Sequence, residues 1–300
     1  MSPNSSPATV QPGWLKMAPF LLLLLWASGF VFLKLGLRYA DPFTFLVLRY
    51  LCVVGLLVLP WLWLRPPPPS SLNVWIHLMV VGLLLQAGYF SFTYLSLKTG
   101  ISPGVIALIT SQQPILVGLL APVIAGERVD AVRWTGLALG VCGAVIVILS
   151  QASLHIESPL SLLFALLALL SLTGGTLWEK RFGTAVHPIT ANLVQYAVGL
   201  AVAAPLAFVL EPMHIQWTPQ LFGSLAYLVI GNSIVAISLL LAMIRHGEAS
   251  RVSALFFLVP PTTALIAFLV LRETIPLMAW PGMLLAAAGL YLVMHVRKSS

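Results

Sequence analysis

Apolar and polar positions along this chain alternate on a long scale: runs of about 20 apolar residues recur, separated by short clusters of Pro, Gly, Ser, Asp and charged residues. Each run is long enough to cross a hydrocarbon core of about 30 Å as an α-helix. The pattern predicts ten helices, at about 17–33, 43–64, 73–97, 102–125, 131–150, 159–180, 189–210, 219–243, 249–271 and 276–296. The breaks carry turn chemistry, as at Asp41-Pro42, the run Pro66–Pro69, Thr99-Gly100, Ser158-Pro159, His187-Pro188 and Glu211-Pro212. Residues 1–13 are polar, rich in Ser and Pro, and read as a disordered tail. The first apolar run is longer than a usual signal-peptide core and lacks a convincing small-residue cleavage site, so it reads as a spanning helix.

A second pattern lies over the first. Ten residue pairs recur at one offset of 146: Gly29/Gly175, Lys34/Lys180, Pro42/Pro188, Thr44/Thr190, Tyr50/Tyr196, Pro114/Pro260, Glu127/Glu273, Trp134/Trp280, Gly136/Gly282 and Gly143/Gly289. Single coincidences mean little in a Leu-rich chain, but ten in one register indicate an internal repeat. The chain divides into a first five-helix repeat, 14–150, and a second, 151–300.

Composition narrows the class. Hydrophobic residues make up 60% of the chain and charged residues 8%, far below the quarter usual in soluble domains. The chain is expected to be an all-α, polytopic membrane protein with a lipid bilayer as its solvent. Cys52 and Cys142 both fall in apolar runs and point to neither a disulfide framework nor a zinc site. The net charge of +7 is spread singly over helix ends, which argues against a nucleic-acid face. With the N-terminus inside, ten Lys and Arg residues lie on the cytoplasmic side, from Lys16 and Arg65 to Arg297 and Lys298. Arg38, Lys98 and Arg272 lie outside, and Lys34 and Arg49 fall within helices. Both termini are therefore expected in the cytoplasm. Five helices per repeat is an odd number, so the second repeat enters from the opposite side. Inverted repeats are a recurrent architecture of secondary transporters, with the site near the midplane between the halves.

The segments WASGFVFLKLG (26–36), DPFTFLVLRY (41–50), SPGVIALITSQQPILVGLLAPVIAGERV (102–129) and SRVSALFFLVPPTTALIAFLVLRE (250–273) resemble the EamA family of the drug/metabolite transporter superfamily. Their order, spacing and duplication carry the likeness over residues 15–296 or so. The resemblance implies a ten-helix fold of inverted repeats, alternating access, and export of metabolites such as amino acids across a bacterial inner membrane. It also implies a central cavity enclosed by the third and fourth helices and their counterparts, the eighth and ninth.

Candidate pathway residues follow from polarity at depth. Gln86, Tyr89 and Thr93 share one face of the third helix, as Thr110 and Gln113 do on the fourth. Trp26 lies mid-helix, too deep for the interfacial belt. Trp178 stands towards the inner end of the sixth helix, where that belt is an alternative reading. Asn232 and Ser233 interrupt the eighth helix, and interhelical hydrogen bonding is the commoner use of such residues. Pro114 and Pro260 are expected to kink their helices, and Gln112 and Gln113 before Pro114 favour a wet cavity there. Lys34 lies roughly 25 Å along the first helix, near the outer interface; snorkelling competes with a place in the pathway. Arg49 lies about 9 Å into the second helix, and a structural bond to carbonyls or a neighbouring helix reads better than substrate contact. Glu127 and Glu273 read as turn-fixing carboxylates near the next helix's N-terminus. Gly136, Gly140, Gly143, Gly282 and Gly289 read as close-packing positions.

The substrate-binding set is thus Trp26, Lys34, Gln86, Tyr89, Thr110, Gln113, Trp178 and Asn232, around a cavity expected to be polar, uncharged and aromatic-walled. All eight acidic residues lie at helix ends or in loops, which disfavours a multidrug-cation exporter relying on an embedded carboxylate. A membrane-embedded enzyme acting on lipid or peptide would need paired acid, base or nucleophile at matching depth, and none is apparent. No H-E-x-x-H, G-x-S-x-G or phosphate-loop motif occurs. The reading is a secondary transporter of small organic metabolites without cofactor or metal, acting as monomer or homodimer.

Overall fold

The computed structural model describes residues 17–113, 115–117, 120, 131–152, 158–182, 186–236, 239 and 258–295. These form ten helical segments. The first repeat holds α1 (Ala18–Gly36), α2 (Pro42–Leu64), α3 (Leu72–Lys98), α4 (Pro103–Thr110) and α5 (Ala131–Ala152). The second holds α6 (Pro159–Phe182), α7 (Pro188–Leu210), α8 (Pro219–Ala236), α9 (Val259–Leu271) and α10 (Ala279–His295). Six of them, α1, α2, α3, α6, α7 and α8, contain stretches long and apolar enough to cross a membrane. Leu59, Trp63, Phe208, Val209 and Leu277 stand exposed on the outside, as a lipid-facing surface requires.

Local chemistry sets the starts. Pro occupies the first turn of α2, α4, α7, α8 and α9, where its missing N–H needs no partner. The Ser71, Ser102 and Thr218 hydroxyls cap α3, α4 and α8 by accepting from the Val74, Val105 and Leu221 amides. Pro260, expected to kink its helix, stands instead in that first turn of α9, after a turn at Leu258; residues 240–257, like Pro114 and Glu127, lie outside the described residues. On α4 the helix breaks at Ser111 and Gln112, where the Gln112 amide donates to the Ile109 carbonyl, three residues back, at 3.1 Å. Gln112 and Leu258 are mates in the 146-residue register, and both are turn residues.

The same holds for two wider turns. α3 becomes π-helical over Leu83–Tyr89, and α8 does so over Tyr227–Ala236. Shifted by 146, the first falls inside the second.

Contacts between loops and helix ends fix the chain directions. Lys34 near the end of α1 donates to the Ile101 carbonyl (2.8 Å), Lys98 at the end of α3 to the Leu37 carbonyl (3.1 Å), and Ser158 before α6 to the Thr99 carbonyl (3.4 Å). One face of the molecule therefore holds the exit of α1 and the entry of α6. These mates run in opposite directions, which makes the repeat inverted. Glu211 after α7 reaches the same face and caps α2 from afar, accepting from the Phe43 and Thr44 amides at 2.7 and 2.8 Å. That cap was not visible in the sequence, because its two partners are 168 and 167 residues away.

The repeats interlock. Mates α2 and α7 pack together, as do mates α5 and α10; α1 packs on α9, and α4 on α6. Between α5 and α10 the backbones nearly touch. A Cβ on Gly143 would lie 2.4 Å from the Ala286 nitrogen, and one on Gly289 2.4 Å from the Gly140 nitrogen. Only glycine fits there, in keeping with small-residue packing between membrane helices. One buried cluster runs through both repeats, from Ala27 and Tyr50 to Tyr196 and Ala286.

Candidate functional site

The helices leave a cavity of about 450 Å³ between the repeats. Its wall uses four mate pairs: Trp26/Leu172, Phe30/Thr176, Gln86/Asn232 and Gln113/Val259. The positions are duplicated, while the chemistry is kept only at the amides Gln86 and Asn232. The first repeat supplies most of the aromatic and most of the polar side.

The π-helical turns place the two amides. Widening a helix by one residue swings a side chain round and leaves its carbonyls out of step with the i→i−4 ladder. The Tyr50 hydroxyl supports the turn in α3 by donating to the Gln86 carbonyl at 2.6 Å, and the Thr93 hydroxyl donates to the Tyr89 carbonyl at 2.7 Å. Tyr50 meets its mate Tyr196 edge-on, with centroids 5.5 Å apart, and Tyr196 also lines the cavity. Asn232 in the α8 turn lies against Gly29, where a Cβ would stand 1.8 Å from Nδ2. Glycine at 29 thus makes room for the amide.

Six of the eight sequence-selected residues, Trp26, Gln86, Tyr89, Thr110, Gln113 and Asn232, line this cavity. Gln113 spans the repeats by donating from Nε2 to the Thr176 hydroxyl at 2.8 Å. The Thr110 hydroxyl turns back on its own helix, donating to the Ile106 carbonyl at 2.8 Å. The amide oxygen of Gln86 is buried and has no hydrogen-bond partner.

Lys34 and Trp178 are not in the lining. Lys34 forms an ion pair with Glu273 at 2.8 Å, besides its bond to Ile101. Trp178 packs with Phe182 (4.6 Å) and His77 (6.0 Å) at the far end of α6.

Arg49 corrects the expectation of an uncharged cavity. It lines the wall and is 3% exposed. Nη2 donates to the Ser233 hydroxyl at 3.0 Å, Nη1 makes a longer contact to the Tyr94 hydroxyl at 3.4 Å, and the guanidinium lies 4.5 Å from the Phe90 ring centroid. Sequence reasoning gave its depth, its need for partners and, from the polar repeat mate Gln195, an inward-facing position, but not that it stands in the cavity wall. Phe30, Phe90, Thr176 and Tyr196 were also missed as wall residues, although Tyr196 carried a signal in its pairing with Tyr50. Among the described residues no three His, Cys, Asp or Glu side chains converge as a metal site would need.

The comparisons place this geometry among known proteins. The EamA-like transporter family matches residues 14–149 and again 159–295. A probable amino-acid metabolite efflux pump of Salmonella typhimurium is 26% identical, over 91% of this chain and 92% of its own. An uncharacterized transporter of Archaeoglobus fulgidus is 27% identical, over 91% and 94%. The uncharacterized inner membrane transporter YedA of Escherichia coli K12 is 23% identical, over 88% and 85%. A solved crystal structure shares the fold with a TM-score of 0.64 at 18% identity, covering 94% of this chain and 96% of that one. With two family domains over nearly its whole length and a cavity walled by both, this chain belongs to the EamA-like transporter family.

Proposed function

We propose that this multi-pass membrane transporter exports small organic metabolites, amino acids or related zwitterionic and aromatic compounds, from the cytoplasm. The observation that carries this reading is the cavity of about 450 Å³ walled by mate positions of two inverted repeats. That volume lies in the range of small-molecule sites. Inverted repeats can exchange conformations, so a cavity open to one side becomes open to the other. The wall offers stacking from Trp26 and Tyr89 and hydrogen bonding from Gln86, Gln113 and Asn232, with no acidic side chain among the described residues. An exporter of lipophilic cations is disfavoured, because such a cargo would meet a guanidinium and no carboxylate.

The reading includes cytoplasmic termini, which the ten-to-three distribution of Lys and Arg supports. Reporter fusions at Arg65, Lys180 and Lys298 are expected to read cytoplasmic, and at Leu154 and His214 external. The export reading is tested in proteoliposomes with a panel of labelled L-amino acids. Saturable counterflow of one or more of them supports it. Movement of quaternary ammonium dyes alone would replace it.

A further inference from the structure

Arg49 is a buried, permanently charged group without an acidic partner among the described residues. Among the described residues no carboxylate lies within ion-pair distance of it; its contacts are Ser233, Tyr94 and the Phe90 ring. Its Nε hydrogen is buried and unpartnered. A guanidinium offers five donors in a planar fork that matches a carboxylate two at a time, and two neutral hydroxyls fill it poorly. Burying a charge at membrane depth is costly unless it is paired, and intramembrane cations of this kind face a cavity and mark substrate pathways. The counter-charge missing among the described residues is therefore to be brought by the ligand.

The rest of the wall narrows the ligand. One guanidinium balances one negative charge, which fits a monocarboxylate better than a phosphate carrying about two. The amide oxygen of Gln86, also buried and unpartnered, remains as an acceptor for a donor on the same molecule. Its position in a π-helical turn held by Tyr50 keeps it fixed while α3 stays continuous. Aromatic surface from Trp26 and Tyr89 completes the wall.

We infer that the transported molecule carries a carboxylate that pairs with Arg49, and that an ammonium or other donor on it meets Gln86. This deepens the export reading by naming the group that the site selects. It makes the free carboxylate obligatory, while the side chain beyond it is tolerated by stacking.

The test uses the full-length protein, purified and reconstituted, with L-phenylalanine and L-leucine, each alongside its primary carboxamide, its decarboxylated amine and its deaminated acid. Binding is read by shift of the thermal unfolding midpoint, and transport by counterflow. The free amino acids are expected to bind at least about 30-fold more tightly than their carboxamides or amines, since a desolvated charge loses its partner. The deaminated acids should fall between, by about five- to tenfold. In Arg49→Gln the ratio of acid to carboxamide should collapse to within about threefold. If that variant does not fold, Arg49→Lys keeps the charge but not the fork, and should weaken the acid while the carboxamide stays as it was. Equal binding of acid and carboxamide by the wild type, or an unchanged ratio in the variant, overturns the inference and leaves export standing. Discrimination without counterflow sustains the inference and removes the export reading. If none of the compounds binds, both fall.

Discussion

Two cations sit inside apolar helices of this protein, and they are treated in opposite ways. Lys34, near the end of α1, is given a carboxylate, Glu273 at 2.8 Å, and a carbonyl, Ile101, at the same distance. Its side chain and that of Glu273 keep some exposure, 17% and 25%. Arg49 in α2 is 3% exposed and is given two hydroxyls, an aromatic face and, among the described residues, no counter-charge. Lys34 fastens the protein to itself, tying α1 to the chain after α9 and to the start of α4. Arg49 is held in place by neutral groups with its charge left unbalanced. The difference separates a charge that serves the fold from a charge that serves a ligand.

The largest expected effect breaks the second half of that contrast. Arg49→Gln should reduce transport efficiency by about 100-fold or more, the scale of a desolvated charge pair losing one member. The unliganded protein should melt at the same temperature or higher, because an uncompensated buried charge has been removed. A simple structural role would lower both, so the measurement pairs counterflow with thermal unfolding in the absence of ligand.

Lys34→Met should do the reverse. It leaves Glu273 partly buried with no cation, and is expected to lower stability by about 1–3 kcal/mol while ligand affinity holds. Adding Glu273→Met should recover most of the loss, and a double-mutant cycle on the unfolding free energy reads the coupling directly. Loss of binding in the single variant at unchanged stability would move Lys34 into the site.

The smallest effect sharpens the contrast. Ser233→Ala removes the 3.0 Å partner of Nη2 without touching the charge. It should weaken ligand binding by about three- to tenfold, the size of one neutral hydrogen bond, and leave the preference for carboxylates intact. Titration of acid and carboxamide against this variant checks both parts.

The contrast also shows where sequence reasoning stops. Ten helices, the repeat and its inversion follow from run length, register and the odd number of helices per repeat, because a bilayer limits how a chain can cross it. Gln86, Tyr89, Thr110 and Gln113 were selected because polar side chains at helical spacing must face something other than lipid. Lys34 and Arg49 needed more. Depth follows from position along a helix, but the direction a side chain takes depends on what the neighbouring helices leave open. The partners of Lys34 are 67 and 239 residues away in the chain. Nor does hydrophobic periodicity announce a π-helical turn, although Gln86 and Asn232, two amides 146 residues apart, carried that symmetry unread. Trp178 was placed by type, and its ring went to an aromatic cluster with His77 and Phe182.

The central claim, that ligand sits between the repeats and not at the Lys34–Glu273 pair, is tested most directly by ligand protection. Cys52 and Cys142, both exposed, would be replaced by Ala, and single cysteines introduced as Gln86→Cys, Asn232→Cys and Lys34→Cys. Alkylation by a membrane-permeant maleimide is then timed with and without a saturating transported amino acid. Slowing of at least about tenfold at 86 and 232, with no change at 34, is the predicted result. Protection at 34 with none at 86 and 232 would contradict it.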